Sequence, residues 1–196
     1  DVYKRQGMGD AISTYYEAFA CRRNGAATRA GGSVSIAAEA LAKACLDTVL
    51  TYGEQARKDV ENRLCTEAVE NIVEANTYLS GIGFESGGLA CAHALHNGLA
   101  LLPELSSVMH GEKVAFCTLV QMVLEGRPEE EISKIRGFCR KVGLPVSLED
   151  MHAGEIPEHR LLEAAVKSCS PKETMRNIGR NVEPEEVVRV MKRLSK

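Results

Sequence analysis

Apolar residues recur three and four positions apart along most of the chain, and this spacing constrains the fold more than any other feature. Ile12, Tyr15, Tyr16 and Phe19 follow it in the first predicted helix. Val, Ile and Thr never alternate with polar residues over the length of a strand. A helix repeats every 3.6 residues and a strand every two, so the pattern predicts an all-α fold with at most a vestigial strand.

Capping residues, prolines and glycines divide this pattern into elements. The predicted order is a first helix over Asp10–Arg22 with Asp10 as its N-cap, a long helix opened by Ser33, a helix over about Asp59–Leu79, a glycine-rich turn over Ser80–Gly88, a helix over Leu89–Asn97 that Asn97-Gly98 stops, a helix beginning at His110, a helix after Pro128, and terminal helices opened by Pro157 and Pro184.

Charge and hydropathy exclude two classes of partner. Lys and Arg number 24 and Asp and Glu 27, so the formal charge is 24 − 27 = −3, which gives no basic surface for nucleic acid. Apolar runs such as Leu99–Leu102 are far shorter than the roughly 20 residues of a membrane-spanning helix. We therefore expect neither nucleic acid nor membrane as a partner, and no secretion signal precedes the fold.

The seven cysteines are an odd number, and no two of them form a CxxC pair. This usage favours reduced thiols in the cytoplasm over a disulfide framework. Most lie among Ala, Leu and Val at helical spacing, where Cys behaves as a small buried hydrophobic residue. No cysteine is assigned a chemical role.

The first six residues lack apolar periodicity and end at the flexible Gly7-Met8-Gly9. We expect residues 1–6 to be an unstructured or foreign leader, followed by one helical domain over residues 7–196.

Three histidines are candidate ligands. His93 and His96 lie three residues apart on one predicted helix, and His110 opens the next. Imidazole and carboxylate groups suit divalent first-row metals, and three protein ligands leave a position open for substrate. Spacing alone leaves open that these are packed core histidines. His152 and His159, in polar surroundings, are expected at the surface.

A longer set of motifs changes that balance. In chain order they are Gly9-Asp10-Ala11, Gly83-Phe84-Glu85-Ser86-Gly87-Gly88-Leu89-Ala90, Ala92-His93-Ala94-Leu95-His96-Asn97-Gly98 and His110-Gly111-Glu112-Lys113-Val114-Ala115-Phe116. This ordered set resembles the glycerol dehydrogenase branch of the iron-containing alcohol dehydrogenase superfamily.

The resemblance implies a fold and a site. The fold would be the helical C-terminal metal-binding domain of the iron-containing alcohol dehydrogenase and dehydroquinate synthase-like proteins. The metal, Zn²⁺ in this branch with iron or manganese also possible, would be held by Asp10, His93 and His110. His96 takes the position of a companion histidine near the ion that is not a ligand, and His96 and Phe84 would line the substrate pocket.

The resemblance also implies an activity, the oxidation of glycerol or a similar small polyol with NAD as hydride acceptor. In that family a dinucleotide-binding domain of similar length precedes the helical one, and the whole enzyme is a homo-oligomer. This sequence has no strand-to-helix Gly-rich turn of the pyrophosphate-binding kind. We expect the N-terminal domain to be absent through truncation, the NAD-binding residues to lie mainly in it, and the chain alone to be inactive.

Two alternatives stay open at this level. The chain could be a non-catalytic helical module for metal binding or assembly, or part of another small-polyol or alcohol dehydrogenase of the superfamily. Carboxylate and imidazole ligands do not choose between zinc, iron and manganese.

Overall fold

A computed structural model describes residues 2–151 and 156–195, with side chains from residue 5 onward. Within these residues it contains helices and no strand, and its β contact is an isolated bridge between Ala27 and Ser33. The predicted all-α class is confirmed. The α-helices are α1 (Val2–Asn24), α2 (Ile36–Glu61), α3 (Glu67–Glu74), α4 (Ser80–Gly87), α5 (Cys91–Leu99), α6 (His110–Leu124), α7 (Glu129–Val142), α8 (Glu158–Ser168) and α9 (Pro184–Leu194), with a π-helical turn at Ala75–Leu79 and 3₁₀ turns at Pro103–Leu105, Glu149–Met151 and Met175–Ile178.

Helix α1 is the central element. It packs against α2, α4 and α6, which surround it on several sides. Ile12, Tyr16 and Ala20 are buried, and so are the polar Ser13 and Glu17 on the other faces of the helix. Functional side chains on α1 are therefore held by packing on several sides rather than by one apolar stripe.

The first helix begins earlier than predicted. The structure continues α1 back to Val2, so Asp10 lies inside a helix and is not its N-cap. The side chain of Gln6 accepts a hydrogen bond from the Gly111 backbone (3.0 Å), and Arg5 pairs with Glu112 (2.6 Å). An unstructured start was therefore wrong for the described residues 2–6. That these residues are foreign to the natural protein stays a prediction.

Gly9 serves close packing rather than flexibility. A β-carbon added at Gly9 would lie 2.2 Å from the backbone oxygen of Gly111, which no real contact allows. Glycine at this position thus lets α1 approach α6 closely.

The glycine-rich turn is also helical. Ser80–Gly87 forms α4, and only then does Gly88, at φ +84°, end the helix. A β-carbon at Gly83 would lie 2.6 Å from Thr14 Cγ2, and one at Gly87 would lie 2.6 Å from Ala18 Cβ. The close packing and positive φ expected of these glycines are both present, but the prediction of a turn was wrong.

Two other predicted boundaries were wrong. The helix placed over about 59–79 is instead the end of α2, then α3 and the π-helical turn. Asn97-Gly98 does not stop its helix, because α5 continues to Leu99 while Gly98 packs against the backbone of Ala164.

Later boundaries agree with the sequence. Helix α6 begins at His110, α7 follows Pro128, and the prolines at 157 and 184 precede or begin α8 and α9. His159 is exposed as predicted, and His152 lies outside the described residues. Among the described residues, every helix is too short or too polar to span a lipid bilayer.

Five cysteines are buried in the helical core, as expected: Cys21, Cys45, Cys91, Cys117 and Cys139. Burial raises the pKa of the Cys21, Cys45 and Cys139 thiols to about 12. These thiols stay protonated and unreactive at neutral pH.

Candidate metal centre

Asp10, His93 and His110 come from three helices and meet at one point. Asp10 lies in α1, His93 in the first turn of α5, and His110 at the first position of α6. Asp10 Oδ1 is 3.2 Å from His110 Nε2 and 3.4 Å from His93 Nε2. One ligand atom from each residue lies within 4.8 Å of the others, so the predicted convergence is present.

The cluster is buried on one side and open on the other. The His93 side chain is 11% exposed, whereas those of Asp10 and His110 are 39% and 45% exposed. A small molecule could therefore reach the cluster from the side of Asp10 and His110, while His93 is held in the protein interior.

Local structure fixes where each histidine lies. Helix α5 starts after Gly88, and its first backbone N–H groups are satisfied by side chains of other helices, including Ala92 N by Gln121 Oε1 (2.9 Å). Helix α6 starts at His110 because Glu112 reaches back to accept from the Met109 N–H (3.1 Å). His93 thus lies at a helix start that a tertiary contact holds in place, and His110 lies at one that a local capping box holds.

A buried carboxylate lies behind His93. Glu17 Oε2 is 2.6 Å from His93 Nδ1, and the Glu17 side chain is fully buried. Burial alone lowers the pKa of His93, but the carboxylates of Glu17 and Asp10 outweigh it and raise the pKa to about 10. Two carboxylates around one imidazole favour positive charge at this point, which a bound cation would supply in place of the second proton of the ring.

The Asp10 carboxylate is ionised throughout the ordinary pH range. Burial acts to raise its pKa, but hydrogen bonds and charge from His110 and His93 outweigh burial and hold the pKa well below its ordinary value. A carboxylate ligand must be deprotonated, and Asp10 meets that requirement.

His96 lies beside the cluster and outside it. Its Nε2 is 3.0 Å from His110 Nδ1, on the side of the His110 ring away from Asp10. Burial, and then the neighbouring His110, lower the pKa of His96 to about 4, so its ring is neutral. His96 is thus a neighbour of His110, and its role as a companion rather than a ligand stays a prediction.

Phe84 lies on the other flank. Its ring centroid is 5.7 Å from that of His93, and the guanidinium of Arg29 lies 5.7 Å from the same ring. Phe84 is therefore placed to form one apolar wall beside the cluster. Its contact with substrate stays a prediction.

The donor set fits a divalent transition metal. Ligands about 2.1 Å from a tetrahedral Zn²⁺ lie about 3.4 Å from one another, close to the two distances from Asp10. One carboxylate and two imidazoles are ligands that Zn²⁺, Fe²⁺ and Mn²⁺ all accept. The outer nitrogens of both histidines also have hydrogen-bond partners, as metal-binding histidines require.

Sequence reasoning missed Glu17. It lies seven residues after Asp10, which is about two helical turns and therefore the same side of α1. That spacing was the one signal in the sequence that pointed to Glu17.

No family model matches the chain. Glycerol dehydrogenase of Citrobacter freundii is 50% identical over 181 residues, which cover 92% of this chain and 50% of that protein. The crystal structure of glycerol dehydrogenase from Schizosaccharomyces pombe matches with a TM-score of 0.94 at 40% identity, covering 98% of this chain and 50% of that one. The chain is homologous to the glycerol dehydrogenases.

The chain spans about half the length of the glycerol dehydrogenases it matches. Its fold is that of their all-α C-terminal domain, as the motifs predicted. Glycolaldehyde reductase of Halobacterium salinarum is also similar, with 38% identity over 182 residues that cover 93% of this chain and 50% of that protein.

Proposed function

We propose that this chain is the metal-binding half of an NAD-dependent glycerol dehydrogenase that converts glycerol to dihydroxyacetone. The observation that carries the proposal is the meeting of Asp10, His93 and His110 within 4.8 Å, in a chain 50% identical to a glycerol dehydrogenase. Zn²⁺ is the proposed metal, with iron or manganese as alternatives.

Each of the three residues of the cluster has a different role. Asp10 supplies a permanent negative charge, His93 anchors the site in the interior, and His110 completes it at the solvent side. A divalent cation held there would act as a Lewis acid toward the C2 hydroxyl of the polyol.

Other residues shape the approach of the substrate. Phe84 would cover one side of the carbinol carbon and keep water from it, and His96 would face the more exposed part of the pocket. The opening beside Asp10 and His110 gives the hydroxyl proton a short route to solvent.

The hydride acceptor must come from elsewhere in the whole protein. We propose that NAD is bound mainly by an N-terminal domain outside this sequence, because the chain spans about half of its relatives and the described residues contain no βαβ unit. The whole enzyme would be a cytoplasmic homo-oligomer.

Metal analysis tests the proposal on the chain itself. Protein purified without chelator, or loaded with zinc and then desalted, should retain about one ion per chain. A wild-type chain that retains none of the three metals would contradict the metal site.

Activity measurements test the division between the halves. With glycerol and NAD, the zinc-loaded chain should form no NADH, and fusion to the N-terminal half of the Citrobacter freundii relative should restore turnover. Turnover by the chain alone within tenfold of a typical enzyme's ~10 per second would contradict the proposed division.

A second candidate activity is the reduction of a small hydroxyaldehyde, favoured by the 38% identity to glycolaldehyde reductase. A panel of glycerol, other vicinal diols and glycolaldehyde on the fused enzyme would separate the two. A fused enzyme that binds metal and oxidises or reduces none of them would instead favour a non-catalytic metal-binding or assembly module.

A further inference from the structure

Glu17 is a fully buried carboxylate whose two oxygens have different partners. Oε1 accepts backbone hydrogen bonds from Ala90 N (2.8 Å) and His93 N (3.0 Å), at the start of α5. Oε2 faces the ring of His93, 2.6 Å from Nδ1. Glu17 therefore holds both the backbone and the side chain of this histidine.

We propose that Glu17 is the positioning residue that fixes the tautomer and orientation of His93, leaving its Nε2 lone pair free to bind a cation beside Asp10. This inference rests on the metal site of the proposed function. It assigns a role to a residue that is not itself a ligand.

The hydrogen-bond chemistry supports one tautomer. A metal-bound His93 must keep its Nε2 lone pair for the ion, so its proton lies on Nδ1, where Glu17 Oε2 is 2.6 Å away and placed to accept it. A neutral imidazole protonated at Nδ1 has its lone pair on Nε2, the nitrogen that lies 3.4 Å from Asp10 Oδ1. Glu17 and Asp10 thus approach opposite ends of the same ring.

Capping of α5 alone does not explain this arrangement. The two backbone N–H groups use only Oε1, and a shorter polar side chain can satisfy a helix start. The second oxygen is directed at the ring, and burial excludes water that could otherwise replace it. A buried carboxyl oxygen without a hydrogen-bond partner is costly, and here the partner of Oε2 is His93 Nδ1.

Glu17→Gln separates the two functions of this carboxylate. The amide oxygen can keep the bonds to Ala90 N and His93 N, so α5 stays capped. The amide NH₂ then faces Nδ1 and can only donate, which forces the proton to Nε2 and blocks the lone pair toward Asp10. In the reverse amide orientation, the NH₂ faces two backbone donors and leaves them unsatisfied.

Asp59→Asn is the matched control. Asp59 is also a buried carboxylate on a helix, but its oxygens accept from Gln55 (2.7 Å) and Thr66 (2.5 Å) and not from the site. Both variants therefore replace a buried carboxylate by its amide, and only one of them faces a proposed ligand.

Zinc affinity, measured by competition with a chromophoric chelator, should fall by about 10- to 100-fold in Glu17→Gln. In Asp59→Asn it should stay within about twofold of wild type. Circular dichroism should show that both variants keep their helical content. Equal zinc affinity of folded Glu17→Gln and wild type would overturn the proposal for Glu17 and leave the metal site standing. Failure of the wild type to bind zinc would overturn both.

Nitrogen NMR of the zinc-loaded wild type gives a second measurement that does not depend on any variant folding. With ¹⁵N-labelled histidine, His93 should show a protonated Nδ1, protected from exchange by Glu17, and a metal-shifted Nε2. A merely structural role for Glu17 would not determine this signature. A protonated Nε2, or a metal-shifted Nδ1, would overturn the proposal.

Discussion

Asp10 and Glu17 lie on the same side of α1 and hold the two ends of the His93 ring, at 3.4 Å from Nε2 and 2.6 Å from Nδ1. One helix thus supplies both the proposed metal ligand and the carboxylate behind the neighbouring ligand. Because α1 is packed against α2, α4 and α6, the backbone that carries both carboxylates is held in place, and the buried Glu17 side chain is held as well. The negative charge of the site is therefore built into the central helix.

Asp10→Asn should abolish tight zinc binding with little effect on folding. The substitution keeps the size of the side chain and removes the permanent negative charge that faces both histidines. Zinc affinity should fall by more than about 100-fold, or about 2.7 kcal/mol, since loss of an outer partner alone costs 10- to 100-fold. The measurement is chelator competition.

The control for Asp10→Asn is Asp47→Asn. Asp47 is an exposed carboxylate that pairs with Lys43 on the surface of α2. Its replacement should leave zinc affinity unchanged. If Asp10→Asn behaved in the same way, Asp10 would not be a ligand.

His96→Ala should weaken zinc binding less than Glu17→Gln does. His96 Nε2 partners His110 Nδ1, but the His110 side chain is 45% exposed, so water can accept in its place. We expect a loss of less than about tenfold by the same competition assay. A loss as large as that of His110→Ala would make His96 a ligand rather than a companion.

The sequence contained enough to predict the helical class and the three converging residues, but by different routes. Periodicity predicted the helices, because burial on one side of a helix leaves a local pattern. Asp10, His93 and His110 are too far apart in sequence for any local pattern, and only the ordered motifs around them indicated one site.

Tertiary contacts explain what the sequence did not reveal. Four glycines in nine residues indicate a turn, yet Gly83 and Gly87 lie in a helix, where the lack of a side chain lets α1 pack closely against them. Gln6 extends α1 by bonding to Gly111, a residue remote in sequence. Glu17 is buried through its contact with the start of α5, which is remote in sequence. Each of these three features depends on a contact with a residue far away in the sequence.

Glu173 should stabilise the fold in a pH-dependent way. Burial acts to raise its pKa, but hydrogen bonds from Lys167 (2.5 Å) and Asn97 (2.8 Å) outweigh burial and hold the pKa below its ordinary value. A lowered pKa contributes stability above the ordinary value of about 4.5, and this is lost as pH falls through the folded-state pKa.

Glu173→Gln should therefore lower the free energy of unfolding at pH 7 by about 1 kcal/mol, a modest figure because Lys167 is 41% exposed and screened by solvent. The difference from wild type, measured by urea denaturation, should shrink as pH falls below about 4. Glu163→Gln, which removes an exposed partner of Arg160, should change stability by less than about 0.5 kcal/mol. A deficit in Glu173→Gln that persisted unchanged at low pH would exclude the charge of Glu173 as its cause.

Gly98→Ala should destabilise the helix that carries His93. A β-carbon at Gly98 would lie 2.2 Å from both the Ala164 backbone oxygen and Ser168 Oγ, and the backbone of α8 cannot easily move away. We expect a loss of about 1–3 kcal/mol and a melting temperature lower by about 4–8 °C for a 2 kcal/mol loss. Gly137→Ala in α7 is the matched control, because its added β-carbon would meet no atom within 4 Å beyond its chain neighbours and the backbone of its own helix. There alanine should stabilise the chain by up to about 1 kcal/mol, since it favours the helix more than glycine does. If the two substitutions shifted the melting temperature in the same direction, the close approach of α5 to α8 would not be the reason for glycine at position 98.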